Sequence, residues 1–182
     1  MTPEQATRLS KFLSLILRHE PEKFGVVLDA AGWTSVSALL EACGRHGHPL
    51  DRAGLEEVVA TNSKKRFAFD ESGTRIRASQ GHSVDVELGY EPAMPPARLY
   101  HGTASRFVEA IRAGGLMKML RHHVHLSADE ATARAVGQRH GKPAVLVIDA
   151  AAMAAEGAAF FVSANGVWLV EHVPVRFIRF PA

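Results

Sequence analysis

The sequence predicts an α+β protein built in two parts. In residues 1–84 the apolar positions have the spacing of amphipathic helices and end in a pair of short alternating runs. From residue 98 onward, strand-like apolar runs alternate with helical segments. The intervening residues 85–97 contain Pro92, Pro95 and Pro96 and show no periodicity, which is typical of a linker. We therefore expect an N-terminal part over 1–84, a linker over 85–97 and a C-terminal part over 98–182.

The composition is that of an ordinary globular protein and excludes several classes. Hydrophobic residues make up 47% of the 182 positions and charged residues 22%, with a formal net charge of +2. This charge is too small to indicate a polyanion partner, so any such site must come from local clustering. The single cysteine, Cys43, excludes an internal disulfide and favours a reducing compartment; its apolar neighbours predict an inert buried thiol. No signal peptide and no apolar run near ~18 residues is present, which predicts a soluble, cytoplasmic protein.

The first element is an amphipathic helix over residues 5–19. Thr2 can cap it with Pro3 at the first helical position, and Pro21 ends it because the residue before a proline avoids helical geometry. Its apolar positions are Leu9, Phe12, Leu13, Ile16 and Leu17.

The remainder of the N-terminal part predicts two helices and a hairpin. After a short extended piece at 26–28, Thr34 or Ser35 begins one helix and Asp51 caps another. Residues 66–69 and 74–77 then flank the turn Glu71-Ser72-Gly73 with alternating character. Helices followed by a two-stranded hairpin are typical of winged-helix units, which often bind nucleic acid, although this inference rests on fold analogy alone.

The C-terminal part predicts a compact α+β unit that ends in a β meander. Helices are expected at 105–113 and 129–139 and a short one at 150–155, and Asn165-Gly166 is a strong hairpin signal. Strands are expected at 98–100, 124–126, 144–148, 160–162, 167–170 and 177–180.

Several basic residues could bind an anion, and each also has a purely structural interpretation. Arg18 and His19 end the first helix, where they could equally interact with free carbonyls and the helix dipole. Arg66 opens the hairpin and could belong to a solvated basic turn. Arg75 and Arg77 share one face of a strand, which is either an exposed basic face or a phosphate contact.

The C-terminal part has its own candidates. His101-Gly102-Thr103 is expected between a strand and a helix, where a glycine admits a ligand close to the backbone and a helix N-terminus favours anions; a capped turn is the alternative. The run His122-His123-Val124-His125 raises the question of a metal, but no acidic or cysteine ligands accompany it, so no metal is expected. A P-loop, a dinucleotide fingerprint and a Gly-x-Ser-x-Gly elbow are absent. A phosphate enzyme here would therefore depend on arginines.

Taken together, segments along nearly the whole chain resemble the RNA 2′-phosphotransferase family, and they occur in that family's order. Each segment is weak alone, but the ordered set is specific. The segments are Leu9–Ser14 running to Leu17-Arg18-His19, Lys65-Arg66-Phe67, Ile76–Ser83, Leu99–Thr103, Arg121 with His123–Ser127, Val136-Gly137 with Arg139, and Asn165–Leu169.

The resemblance implies a winged-helix N-lobe, an ADP-ribosyltransferase-like C-lobe and a metal-free reaction in two steps. The RNA 2′-phosphate would attack the nicotinamide-ribose anomeric carbon of NAD⁺ and expel nicotinamide. The neighbouring ribose hydroxyl would then attack phosphorus, which leaves RNA with a 2′-hydroxyl and gives ADP-ribose cyclic phosphate. The resemblance further implies RNA and NAD⁺ as partners, no obligate protein partner and a monomer.

The resemblance also assigns roles to residues. The catalytic set would be Arg18, His19, Arg66 and Arg121. The NAD⁺ contacts would be His101, Gly102, Thr103, Ser127, Arg139 and Asn165, and the RNA-binding candidates are Lys65, Arg77, Gln80 and His82. Two departures are notable: Ser79 stands where the family often has asparagine or threonine, and no late-strand catalytic glutamate is assigned, the nearest acid being Glu171.

Two alternatives stay open from the sequence. The same NAD⁺ site could transfer ADP-ribose to a terminal phosphate of RNA or DNA and stop there. Alternatively, the chain could be a winged-helix nucleic-acid-binding regulator with a nucleotide-sensing C-lobe, in which Arg18 and His19 are only helix-end residues. A catalytic role requires that His19 is not sealed inside the N-terminal part.

Overall fold

The protein is described by a computed structural model covering residues 1–84, 86 and 88–182, in which the chain divides into two units, Met1–Gly89 and Tyr90–Ala182. Asp85 and Glu87, which belong to the predicted linker, lie outside the described residues. Residues 90–97 of the predicted linker belong to the second unit, in which the Ala93 N–H donates to the Phe160 carbonyl at 2.8 Å. No described helix is both long and apolar enough to cross a bilayer.

The first unit contains three helices and a three-stranded antiparallel sheet. In the sheet, β3 lies between β1 and β2, and the β2–β3 pair is the predicted hairpin. The strand β1 was not predicted, because two residues are too short to show a period. The elements are α1 (Pro3–Arg18), β1 (Thr34–Ser35), α2 (Val36–Arg45), α3 (Arg52–Thr61), β2 (Phe67–Phe69) and β3 (Arg75–Ala78), with a 3-10 turn at Glu22–Phe24.

The helix ends of the first unit confirm the predicted caps. The Thr2 hydroxyl accepts from the Gln5 N–H and the Gln5 side chain accepts from the Thr2 N–H, a reciprocal capping box. At the start of α2 the Ser35 hydroxyl accepts from the Ala38 N–H, and at the start of α3 the Asp51 carboxylate accepts from the Gly54 N–H. The apolar stripe of α1 forms the core, and Cys43 is fully buried within that core, as predicted. Burial raises the pKa of the Cys43 thiol to about 11.

The second unit contains three helices and three small antiparallel sheets. The sheet orders are β11-β7-β4, β6-β9-β8 and β10-β5, and a backbone pair between Tyr100 and Ser127 joins β4 to the end of β6. The elements are β4 (Arg98–Ala104), α4 (Val108–Gly114), β5 (Leu116–Met117), β6 (Val124–Leu126), α5 (Glu130–Gln138), β7 (Pro143–Asp149), α6 (Ala150–Ala155), β8 (Phe160–Val162), β9 (Trp168–Val170), β10 (His172–Val173) and β11 (Ile178–Arg179).

The predicted closing β meander is wrong beyond its first hairpin. The β8–β9 hairpin forms around Gly166, whose φ of 79° is the left-handed conformation that Asn-Gly turns use. However, β9 already has β6 and β8 on its two edges, so no edge remains for the strands that follow. Accordingly, β10 pairs with β5 and β11 pairs with β7.

The expected strand-to-helix turn at His101-Gly102-Thr103 is also wrong, because these residues lie inside β4 and pair with β7. Gly102 is needed there for packing: a Cβ at this position would overlap the carbonyl of Ala133 in α5. Gly137 faces the strand in return, since its Cβ would lie 2.6 Å from the Thr103 carbonyl oxygen. Two glycines thus let α5 lie directly against the backbone of β4, and this packing is a sufficient reason for a glycine at position 102.

Candidate active site

The first unit builds its part of the candidate site on the polar face of α1. Ser10, Ser14 and Arg18 follow one another at four-residue spacing, so they lie on one face of the helix. The Ser14 hydroxyl donates to the Ser10 carbonyl at 2.8 Å, and Ser10 is only 6% exposed. Arg18 is half-buried in the last turn of the helix, where the macrodipole favours a cation.

His19 follows at the helix end and is exposed rather than sealed in the core. Its Nδ1 lies 2.9 Å from the Ser83 hydroxyl oxygen. The N–H groups of Ser83 and Val84 donate to the Arg18 carbonyl at 2.8 and 3.4 Å, so this segment satisfies a carbonyl that the helix leaves open. The motif that carries Ser83 therefore supports both Arg18 and His19.

Arg66 approaches α1 from the start of the hairpin. Its Nη1 lies 3.4 Å from both the Ser10 hydroxyl and the Asn62 amide oxygen, and the Asn62 amide nitrogen donates to the same Ser10 hydroxyl at 2.8 Å. A groove of about 340 Å³ opens beside Arg66, and it is lined in part by Ser10, Lys11, Asn62 and Ser63. The first unit thus brings three of the four predicted catalytic residues to α1.

The predicted RNA-binding residues fall in different environments. Lys65 has a φ of 42°, unusual for a side-chain-bearing residue, and its carbonyl accepts from the Ser79 hydroxyl at 2.9 Å. Arg77 lies 4.5 Å over the Trp33 ring and donates to a backbone carbonyl. Gln80 is half-buried, whereas His82 is only 2% exposed. An RNA contact by the His82 ring would require its surroundings to move.

In the second unit, one strand residue connects Arg121 to His101. Arg121 Nη1 lies 2.9 Å from His125 Nδ1, while His101 Nδ1 lies 3.0 Å from the His125 carbonyl oxygen. Burial lowers the pKa of His101, and the nearby Arg121 charge lowers it further, although the bond to the His125 carbonyl acts in the opposite direction. His101 is therefore a neutral ring whose Nδ1 carries the proton and whose Nε2 keeps a lone pair.

The other predicted NAD⁺ contacts are distributed over the second unit. Ser127 is half-buried and exchanges two backbone hydrogen bonds with Tyr100, next to His101. Thr103 is 7% exposed, and Arg139 is exposed just beyond the end of α5. Asn165 lies in the β8–β9 turn, where its amide oxygen accepts from the buried Ser163 hydroxyl at 2.5 Å.

The histidine run does not behave as a cluster of metal ligands. His125 uses Nδ1 toward Arg121, and the His123 ring packs at 5.6 Å from the Phe161 ring, where desolvation lowers its pKa. Among residues 1–84, 86 and 88–182, no group of three histidine, cysteine, aspartate or glutamate side chains is placed to hold a metal ion.

Sequence reasoning missed the residues that hold the predicted site in place. Ser10, Asn62 and His125 contact candidate catalytic arginines, but no role was assigned to them from the sequence. Ser10 and His125 have local signals, since Ser10 is four residues from Ser14 and His125 is four residues from Arg121. The contacts between Asn62 and Ser10, and between Ser83 and His19, join positions more than 50 residues apart, at separations of 52 and 64. No periodicity in the sequence encodes such pairs.

Comparison with known proteins identifies the family of this chain. The sequence profile described as "RNA 2′-phosphotransferase, Tpt1 / KptA family" matches residues 4–172. A protein of Streptomyces coelicolor is 55% identical over 182 residues, covering 100% of this chain and 99% of its own. Proteins of Trichormus variabilis and Pseudomonas aeruginosa are 53% and 57% identical, covering 98% and 93% of this chain and 98% and 94% of their own. Each of the three is named "Probable RNA 2′-phosphotransferase". The chain therefore belongs to the RNA 2′-phosphotransferase, Tpt1/KptA family.

Proposed function

We propose that this protein is an NAD⁺-dependent RNA 2′-phosphotransferase that removes an internal 2′-phosphate of the kind left at a tRNA splice junction. The observation that carries the proposal is the grouping of Arg18, His19 and Arg66 along α1 in a chain of this family. If Arg18 and His19 had only a structural role at the helix end, no further arginine would need to be directed to the same helix. The names of the relatives support the same substrate chemistry.

The arginines would bind and stabilise the transferred phosphate. A phosphate monoester is close to dianionic at neutral pH, and guanidinium groups bind its oxygens bidentately while remaining charged. We propose that Arg18, Arg66 and Arg121 each act on phosphate oxygens of the substrate. Loss of one such electrostatic contact commonly lowers the rate by about 10²–10³-fold.

His19 would orient the attacking group. The Ser83 hydroxyl at 2.9 Å fixes the rotation of the ring, so that the imidazole is ordered before the substrate binds. A ring held in this way can keep the phosphate or the attacking ribose hydroxyl in line, with or without accepting a proton.

The second unit offers a set of polar groups that supports NAD⁺ binding. His101 keeps an unprotonated Nε2, Ser127 lies close by, and Arg139 supplies an exposed cation for a diphosphate. Thr103, Asn165 and the backbone at Gly102 complete the proposed contacts. NAD⁺ would act as a co-substrate whose ADP-ribosyl group receives the phosphate. Neutral nicotinamide would be the leaving group. The reaction would end with RNA carrying a 2′-hydroxyl and with ADP-ribose cyclic phosphate.

We further propose a winged-helix lobe for RNA and an ADP-ribosyltransferase-like lobe for NAD⁺. The order α1-β1-α2-α3-β2-β3, with a three-stranded antiparallel sheet, supports the first assignment. Lys65, Arg77 and Gln80 would contact the RNA strand from this lobe. His82 would support them from its buried position.

The direct test uses an RNA oligonucleotide with one internal 2′-phosphate, incubated with and without NAD⁺. We expect conversion to a 2′-hydroxyl with release of nicotinamide only when NAD⁺ is present, and no effect of a metal chelator. Conversion without NAD⁺ or loss of activity with chelator would refute the mechanism. ADP-ribosylation of a 5′-phosphorylated oligonucleotide, with no turnover of the internal 2′-phosphate, would establish the terminal-phosphate capping reaction instead.

Two alanine variants test the role of the arginines. Arg66→Ala and Arg121→Ala should each lower turnover by about 10²–10³-fold or trap ADP-ribosylated RNA. The matched controls are Arg45→Ala and Arg134→Ala, which remove exposed arginines that pair with Glu41 and Glu130 in their own helices. Unchanged turnover in Arg66→Ala or Arg121→Ala would remove that arginine from the site.

A further inference from the structure

The contact between Arg121 and His125 fixes the protonation of a histidine. A guanidinium group has five N–H donors and no acceptor. At 2.9 Å from Arg121 Nη1, His125 Nδ1 must therefore accept the hydrogen bond, which requires it to be unprotonated. The proton of this neutral ring then resides on Nε2.

The position of His125 in the sheet allows it to restrain the Arg121 side chain. It is the central residue of β6 and pairs with Leu169 of β9, the middle strand of its sheet. Its carbonyl oxygen also accepts from His101 Nδ1 at 3.0 Å. One backbone position thus orients a candidate phosphate-binding residue through its side chain and a candidate NAD⁺-binding residue through its carbonyl group.

The hydrogen bond between Arg121 and His125 differs in charge from an ordinary ion pair. Arg75 donates to the carboxylates of Asp29 and Asp70, which offset its charge. Within the described part of the chain, Arg121 forms no ion pair and its side-chain hydrogen bond goes to the His125 ring. A neutral acceptor restrains the exposed side chain and leaves its full positive charge for a phosphate, whereas a carboxylate would compete with the phosphate.

We propose that His125 is a positioning residue for Arg121, acting through its unprotonated Nδ1. This inference rests on the proposed function and goes beyond it by assigning a role to a residue outside the expected catalytic set. Because only an acceptor at the Nδ1 position is needed, asparagine, whose amide oxygen can occupy that place, should substitute for His125, and alanine should not.

The test compares His125→Ala, His125→Asn, Arg121→Ala and the double variant Arg121→Ala/His125→Ala in single-turnover reactions on the 2′-phosphorylated oligonucleotide. We expect His125→Ala to slow the reaction about 10- to 100-fold, as for loss of a hydrogen bond to a charged group. His125→Asn should stay within about 5-fold of the unsubstituted protein. The double variant should be no slower than Arg121→Ala, because residues that act as one unit are not additive. His122→Ala, a change of a neighbouring histidine, is the matched control.

Three results would overturn the proposal: full activity of His125→Ala, equal losses in the alanine and asparagine variants, or a multiplicative loss in the double variant. Nitrogen NMR of isotope-labelled histidine supplies a readout that does not depend on activity or on the stability of a variant. It should show His125 Nδ1 unprotonated in the unsubstituted protein, and a protonated Nδ1 there would contradict the proposal. If the unsubstituted protein fails to turn over the oligonucleotide, the proposed function falls, while the NMR result still decides the Arg121–His125 contact.

Discussion

His19 Nδ1 and the Ser83 hydroxyl oxygen lie 2.9 Å apart, although the two residues are separated by 64 positions in the sequence. The same serine donates its N–H to the Arg18 carbonyl at 2.8 Å. A segment that follows the hairpin therefore fixes the end of the first helix and the ring that follows it. The Arg18–His19 pair depends on this long-range contact for its orientation.

We expect Ser83→Ala to lower turnover of the 2′-phosphorylated oligonucleotide by about 5- to 10-fold, the effect of one ordinary hydrogen bond. The backbone bonds to Arg18 remain in this variant, so the melting temperature should change little. Ser83→Thr keeps the hydroxyl and should retain most of the activity. Equal losses in the two variants would show that the hydroxyl does not act on His19.

Asn62→Asp tests whether Arg66 needs its full charge. The change is nearly isosteric but places a carboxylate where the Arg66 Nη1 now meets an amide oxygen at 3.4 Å. A carboxylate would compete with the substrate phosphate, so the KM for 2′-phosphorylated RNA should rise several-fold, and more at low salt than at high salt. Steady-state kinetics at two ionic strengths measures this. A KM that does not depend on the substitution would exclude Arg66 from phosphate binding.

Much of the fold could be predicted because its signals are local. Thr2, Pro3 and Asp51 act within a few residues of themselves, and the structure confirms the helix starts that they predict. The errors occur at positions whose local structure or burial depends on residues distant in the sequence. Gly102 was expected in a turn, but it lies inside β4, where the carbonyl of Ala133 in α5 leaves no space for a Cβ. The burial of His82, an RNA-binding candidate, was likewise not visible in the sequence.

Gly102→Ala should destabilise the second unit strongly. Its Cβ would overlap the Ala133 carbonyl, and neither strand nor helix can withdraw without losing contacts, so we expect a loss of at least about 2 kcal/mol. Gly44→Ala is the matched control, since a Cβ there has no heavy atom within 4 Å and the residue lies in α2. It should stabilise the protein by about 0.5–1 kcal/mol. Urea unfolding measures both changes; equal stability of Gly102→Ala and the unsubstituted protein would contradict the close packing of α5 on β4.

The depressed pKa of His101 predicts that stability falls in mild acid. Burial keeps the folded ring neutral below its ordinary pKa of 6.5, so the unfolded chain binds the proton first as the pH decreases. This contribution is complete above pH 6.5 and is lost as the pH falls from there toward the lower folded value. Unfolding free energies between about pH 7.5 and pH 5.5 should therefore decrease, and the decrease should be smaller in His101→Gln. His140→Gln, which changes an exposed histidine, is the control; an identical pH dependence in His101→Gln would contradict the assignment.

The fate of the phosphorus atom tests the central claim most directly. An RNA oligonucleotide carrying a radioactive internal 2′-phosphate is incubated with the protein and NAD⁺, and the labelled product is identified by chromatography. We expect all of the released label in ADP-ribose cyclic phosphate, with one nicotinamide formed for each phosphate removed. Release of the label as inorganic phosphate, or its retention on RNA while nicotinamide accumulates, would contradict an NAD⁺-dependent 2′-phosphotransferase.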